Sequence, residues 1–382
     1  MVNRRWLSRL PWEIVVMAAM LILLGWVGIN RAEELADREG RFLPRQMSWL
    51  PIALVAMFGV ALPSYRPLCR WSYAIFGLAM LGLLLVYFFP PVNGARRWIR
   101  LGPIGCQPSE FAKIAFVMAT ARYLMYRENY RRFTGLFAPL ALVLVPCVLI
   151  LREPDLGTAL LFPPVLFAML YVAGARSADL LKLLLIGMLC TPLLWTQMTR
   201  EQKSRITALA EPTSPGHRPS DDAYHLQQSK RMIGLGNTWG SFVQGDAVPD
   251  RGAYRLPEAH TDFIFAVICE RLGLAGGAFV LGLFGLLIWR GATVAIQSRE
   301  PYGRLLAAGL TALFAVQVAI NTAMTIGLAP VTGLSLPLVS YGGSGLLAHA
   351  IGLGLLLNVG ARPGYEVGPE PFRYRIEAAA RA

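Results

Sequence analysis

Charge is what this chain has too little of. Asp, Glu, Lys and Arg make up 15% of its 382 residues, where a soluble domain carries about 25%. So few charges cannot dress a water-facing surface, which argues against a soluble enzyme. Hydrophobic types at 55% exclude a disordered chain, and the mean hydropathy of +0.48 points the same way. Cysteine is scarce too. Cys69, Cys106, Cys147, Cys190 and Cys269 are odd in number and scattered, mostly within apolar runs, so they form neither a disulfide framework nor a CxxC metal pair. His217, His225 and His260 share one segment but lack ligand spacing, which makes zinc a weak reading. There is no heptad pattern and no internal repeat. Nor is there a Walker loop, a nucleophile elbow or a GxGxxG in a strand–helix context, which argues against ATP-driven transport.

Apolar sequence is what the chain has instead. If half of it lies in hydrocarbon at about 20 residues per crossing, there is room for roughly nine or ten helices. The apolar runs cover 12–29, 48–62, 71–89, 108–126, 135–151, 158–173, 180–196, 263–289, 305–328 and 346–359. The expected fold class is therefore an all-α polytopic membrane protein of about ten transmembrane helices, one domain over 1–382, with both termini on one side. The run 108–126 carries Glu110 and Lys113, so hydropathy supports it least. The first run lacks a small-residue cleavage site and reads as a retained helix.

The net charge is +13. In a soluble protein that excess would suggest nucleic acid; here it fits the collection of Arg and Lys in cytoplasmic loops. Arg4, Arg5 and Arg9, then Arg66 and Arg70, then Arg127, Arg131 and Arg132, then Arg176, then Arg290, Arg299 and Arg304, and finally Arg362 fall in alternate segments. That pattern puts the N-terminal segment 1–11 and the tail 361–382 in the cytoplasm. The long hydrophilic segment 198–261, between the seventh and eighth helices, then lies outside, and loops of such length are functional or disordered. Arg96, Arg97 and Arg100 break the rule, as they would if they served an anionic ligand on the outer side.

Four segments could carry chemistry. In the first, Arg96, Arg97 and Arg100 precede a helix start at Pro108, where exposed N–H groups and the positive dipole end favour an anion. Glu110 and Lys113 follow on one helical face. They read equally as a structural ion pair, with the arginines on lipid headgroups. The second is Arg152-Glu-Pro-Asp-Leu-Gly-Thr158, where Asp155 could cap the next helix. The third is Leu256-Pro-Glu-Ala-His-Thr-Asp-Phe-Ile-Phe265, with Asp262 at the polar-to-apolar boundary. Thr261 or Asp262 could be a cap there, yet Glu258 and burial would raise Asp262 toward the pKa of a base. The fourth, Gly327 to Gly345, is rich in Gly and Pro. Irregular backbone at that depth survives only inside protein or against a water-filled cavity.

These residues resemble a known pattern. Gln107-Pro-Ser-Glu-Phe-Ala-Lys113, Glu153-Pro-Asp-Leu-Gly-Thr158, Gln228-Ser229, Pro257-Glu-Ala-His-Thr-Asp-Phe-Ile-Phe265 and Pro337-Leu-Val-Ser-Tyr-Gly-Gly-Ser344 are similar, in order and nearly end to end, to the motifs of the SEDS family (shape, elongation, division and sporulation proteins). The resemblance implies a peptidoglycan glycosyltransferase of the bacterial cytoplasmic membrane that polymerises lipid II with a class B penicillin-binding protein. It adds Gln228, Ser229, Ser340 and Ser344 to the substrate-binding candidates. Two departures stand out: Glu270-Arg271 replaces two consecutive acids, and the segment after Gln228-Ser229 is less glycine-rich.

Such a reaction needs one carboxylate base and positive charge on the departing pyrophosphate, supplied by Arg or by a metal such as Mg2+ or Mn2+. Asp262 is the candidate base, with Arg96, Arg97 and Arg205 as outer cations and Asp155, Gln228 and Glu258 as accessories. A lipid II flippase or exporter, and a non-catalytic scaffold for the synthase, are the alternatives. A flippase needs polar groups through the membrane depth, whereas most of these candidates sit at the outer boundary. Whether the chain serves elongation or division is not written in these residues.

Overall fold

The computed structural model describes residues 9–36, 40–91, 95–101, 104–126, 133–211, 220–248 and 254–364. Arg4 and Arg5, the basic loop at 127–132, His217 and most of the tail fall outside the described residues. The chain begins with α1 (Trp12–Leu35), α2 (Leu43–Ala61) and α3 (Arg66–Leu85). A short hairpin follows, β1 (Ile99–Leu101) antiparallel to β2 (Ile104–Cys106), with Ile99 opposite Cys106. Then come α4 (Pro108–Tyr126), α5 (Phe137–Arg152), α6 (Leu156–Ala173) and α7 (Ser177–Gln197). The long hydrophilic segment holds α8 (Arg200–Thr207), α9 (Asp221–Leu235) and the single turn α10 (Ser241–Gln244). α11 (Ile264–Gln297), α12 (Pro301–Ile326) and α13 (Gly343–Gly360) complete the bundle.

Among the described residues eight helices are long and apolar enough to cross a membrane. They make the chain a multi-pass membrane protein. The other two long helices are α2 and α4, and their polarity has a packing reason. α4 is enclosed almost all round, with Glu110 5% and Lys113 2% exposed, so its charges face protein and not lipid. α2 buries Gln46 in its first turn, against the fourth candidate segment. At the opposite extreme, α7 buries only Asp179 and Leu180, so nearly its whole surface is left for lipid.

Helix starts follow from local chemistry. Glu300 accepts bonds from the N–H groups of Tyr302 (3.0 Å) and Gly303 (2.5 Å), and Pro301 occupies the first turn of α12. Thr199 and Gln202 form a reciprocal capping box on α8. Two features add detail to the sequence expectation. The hairpin adds β structure to a chain read as all-α; strands of three residues carry too little alternation to register in sequence. The described parts of the segment 198–261 hold helices that contribute Leu226, Met232 and Leu256 to a satellite core with Phe263.

α11 breaks at Gly273, whose φ of 71° is costly for residues with a side chain. The loop repairs the break: Leu274 N–H donates to Asn237 O (2.8 Å) and Ala275 N–H to Thr238 O (3.2 Å). Just before the kink, Arg31 of α1 grips Glu270 by two bonds, Nε–Oε2 at 3.0 Å and Nη2–Oε1 at 2.8 Å, and reaches Asp246 at 2.5 Å. The fork of Arg suits such bidentate pairing. Where the family pattern has a second acid, Arg271 instead lies over the Phe242 ring. Because Glu270 is buried and Arg31 is its ion-pair partner, removing Arg31 strands the carboxylate. Arg31→Ala should therefore cost about 3–5 kcal/mol, read as a lowered unfolding temperature in detergent, whereas Arg271→Ala should cost under about 1 kcal/mol.

Candidate functional site

Asp262 ends a tight turn, and several elements hold that turn in place. The Glu258 carbonyl accepts from the N–H groups of Thr261 and Asp262, each at 3.2 Å. Glu258 has a φ of 50°, a costly conformation of the kind that gathers at functional sites. Ser340 Oγ donates to Thr261 O (2.5 Å), Tyr341 N–H to His260 O (2.9 Å) and Asn321 Nδ2 to Asp262 O (2.9 Å). His260 stacks on Phe42, ring centroids 4.1 Å apart. All these bonds go to backbone. The Asp262 carboxylate takes no hydrogen bond among the described residues. It is not a helix cap either, since α11 starts at Ile264 with Phe263 as N-cap and no side-chain cap.

That carboxylate faces a cavity of about 350 Å³ lined by Arg97, Asp155, Arg205, Glu258, Ser340 and Ser344, with Glu110 and His349 deeper. The cavity keeps part of the Asp262 surface accessible, yet protein encloses the group on every side. Burial pushes its carboxyl up to about 7, Glu258 adds to the rise, and Arg205 opposes it. Arg205 Nη1 and Asp262 Oδ2 each lie 3.6 Å from where a Cβ at Gly333 would stand, so the two groups share one gap. The hairpin delivers Arg97, whose Nε donates to Glu153 O (3.0 Å) while Nη2 bonds Pro154 O. The buried Glu153 carboxylate has no partner for either oxygen among the described residues. Burial pushes it up to about 8 and Asp155 adds to the rise. Below that pH Glu153 is neutral and leaves the Arg97 charge uncancelled.

The other candidates divide. Asp155 caps α6 through Thr158 N (3.1 Å) and Thr158 Oγ1 (2.8 Å), and it also lines the cavity. Glu110 pairs with Lys113 at 2.9 Å, and Lys113 also reaches Gln317 Oε1 at 3.2 Å. Three sequence candidates do not line this cavity. Arg96 turns to Tyr87 O (2.8 Å), Ser229 Oγ donates to Thr325 O (2.8 Å), and Gln228 is buried where α9 packs on the bundle. Sequence reasoning missed Trp98, His349 and Gly333 of the lining, and Gln46 and Asn321 behind it. A lone Asn or Gln in an apolar helix was their only signal. Among the described residues no group of three or more His, Cys, Asp or Glu is placed to hold a metal ion.

The comparisons with known proteins settle the family. The model of the cell cycle protein family of FtsW, RodA and SpoVE matches residues 7–363. The chain belongs to that family. Stage V sporulation protein E of Bacillus subtilis is 33% identical, over 91% of this chain and 95% of that one. A protein named probable peptidoglycan glycosyltransferase FtsW, from Halothiobacillus neapolitanus, is 35% identical over 90% of this chain and 85% of its own length. Among solved structures, a chain of a peptidoglycan synthase complex that coordinates polymerization and crosslinking aligns with a TM-score of 0.79 at 32% identity, covering 93% of this chain and 98% of that one. The rod shape determining protein RodA of Thermus thermophilus aligns at 0.69 and 29% identity, covering 93% and 98%.

The Glu110–Lys113 pair sits beside this cavity, fully enclosed. Glu110→Gln or Lys113→Met alone leaves one buried charge and should cost about 3–5 kcal/mol. The exchanged double variant should regain part of that loss. Thermal unfolding of the three variants in detergent checks it; equal stability of both single variants with the parent would remove the pair from the core.

Proposed function

We propose that this protein is a peptidoglycan glycosyltransferase that polymerises lipid II at the outer face of the bacterial cytoplasmic membrane, with Asp262 as general base. The observation that carries the proposal is the Asp262 carboxyl: free of cap and hydrogen bond among the described residues, raised to about 7, and facing Arg205 and Arg97 across one cavity. A base poised near the working pH is what proton abstraction requires. Asp262 takes the proton of a sugar hydroxyl as its oxygen attacks the anomeric carbon of the next disaccharide. The bond to pyrophosphate breaks, and the pyrophosphate leaves with the electron pair. Arg97 and Arg205 would offset that growing negative charge in an enclosed site. Mg2+ or Mn2+ on the pyrophosphate would add to the same effect. A good leaving group needs no general acid, so one carboxylate suffices, unlike the pair used in glycosidases.

A second cavity of about 390 Å³ adjoins the first and is lined by Arg45, Trp49, Trp98, Arg100 and Tyr341. Trp98 and Tyr341 line both cavities. Two cationic rooms suit a reaction that joins two lipid-linked substrates. The flippase reading is less favoured. Below Glu110 and His349 the open space shrinks to about 10 Å³ among Ile114, Leu310, Leu313 and Phe314, so the polar path stops within the bundle. The partner would be a class B penicillin-binding protein, as one structural relative comes from a synthase complex. Both termini would be cytoplasmic, with the hairpin and α8–α10 outside.

The test is polymerisation of purified lipid II by the protein with its partner. Asp262→Asn should express, fold and bind lipid II while its rate falls at least about 10²-fold, the scale of losing an acid–base group. Near-parental glycan synthesis by that variant would overturn the assignment. Only the ionised carboxylate is a base, so the parental rate should fall as pH drops through about 7, tenfold per unit well below it. Arg97→Ala should weaken lipid II use strongly and loosen the Glu153–Pro154 turn as well. Arg97→Lys should rescue partly, because Lys lacks the fork.

A further inference from the structure

The floor of the cavity is built from polar atoms that nothing among the described residues satisfies. Glu110 Oε1 is taken by Lys113, but Glu110 Oε2 is buried with no partner among the described residues. Ser344 Oγ and His349 Nε2 are in the same condition. All three residues line the cavity beneath Asp262, and they are 5%, 3% and 7% exposed. Leaving such atoms bare costs free energy of order 1–3 kcal/mol each, and each orphan in a folded protein calls for a partner.

Their chemistry narrows what that partner is. The other ring nitrogen of His349 bonds the Gly345 backbone carbonyl one turn earlier, and only an N–H can do that. In the neutral ring Nε2 is then an acceptor. Glu110 Oε2 is an acceptor as well, and the Ser344 hydroxyl can serve either way. Two acceptors and a hydroxyl fit a ligand group that donates: a hydroxyl or an amide N–H. They do not fit a phosphate, which only accepts. A bare cation is also disfavoured, because Lys113 already neutralises Glu110 at 2.9 Å.

We propose that Glu110, Ser344 and His349 form a subsite for the hydroxyl or amide donors of a saccharide, with His349 as the residue that positions it. The subsite rests on the glycosyltransferase reading above and deepens it: the arginine rim holds the anionic end of the substrate, and the floor takes its sugar. Rim and floor together then fix which way the sugar faces Asp262.

The experiment compares the parent with His349→Phe and His349→Gln in nanodiscs with the partner present, reading lipid II affinity, turnover and thermal unfolding separately. His349→Phe should weaken lipid II binding about 10-fold, the effect of one lost hydrogen bond, with kcat within about threefold. Its free state should unfold within a few degrees of the parent, since the exchange removes an unpaired buried nitrogen together with one bond to the Gly345 carbonyl, which also sits in the helix ladder. His349→Gln, which keeps an acceptor, should recover most of the affinity. Inorganic pyrophosphate should compete equally well against the parent and His349→Phe, because it binds the rim. Unchanged lipid II affinity in His349→Phe would overturn the subsite, and so would an earlier melt with all kinetic constants falling together. A parent that binds lipid II without polymerising it would overturn the glycosyltransferase reading alone; the subsite is judged on the affinity ratio.

Discussion

Backbone amides buried among apolar helices must find partners inside the protein, because hydrocarbon offers none. That constraint organises this molecule around residues 327–342, which run without helix between α12 and α13. Side chains from neighbouring helices satisfy them one by one. Gln317 Nε2 donates to Ser335 O (2.9 Å) and Asn321 Nδ2 to Leu334 O (2.6 Å). Leu336 N–H donates to Ser340 Oγ (2.8 Å), and Gln46 bonds both Ser340 O and Gly342 N. Asn321 and Ser340 then extend the same network to the backbone of Asp262 and Thr261. The polar residues that make irregular backbone tolerable are thus the ones that aim the carboxylate.

Electrostatics divide the site along the same lines. Asp262 is desolvated and sits beside Glu258, so it holds its proton more tightly than a surface carboxylate. Arg205 moderates that effect. Glu153, buried and unpaired among the described residues, is pushed up to about 8. Burial is the chief cause of the rise in both carboxyls, and the nearby charges adjust it.

Much of this was legible in the sequence. The ten apolar runs correspond to ten long helices among the described residues, and Asp262, Arg97, Arg205, Glu258 and Asp155 line one cavity from segments up to 165 residues apart. Each carried a visible mark: a charge at an apolar boundary, or a basic residue out of step with the alternation of basic segments. What could not be read had no such mark. Arg96 and Arg97 are neighbours, and only the hairpin decides which one turns inward. Gln228 and Ser229 looked like cavity residues until α9 was seen to pack them against α12. His349 lies in a run of Leu, Ala and Gly, where one polar residue reads as an accident. Hydropathy undervalued α4 because it cannot tell a helix facing lipid from one facing protein.

That enclosed helix has a consequence for how the molecule is made. A segment carrying Glu110, Lys113 and Arg122 partitions weakly into hydrocarbon on its own. Yet the second partner of Lys113 is Gln317, 204 positions later in the chain. During synthesis α4 must wait, sheltered by α3, α5 and α6 or held at the interface, until α12 arrives to complete its polar contacts. The last helices to leave the ribosome therefore close the core around one of the first. A chain cut short before α12 would hold a charged helix with no finished place in the bilayer.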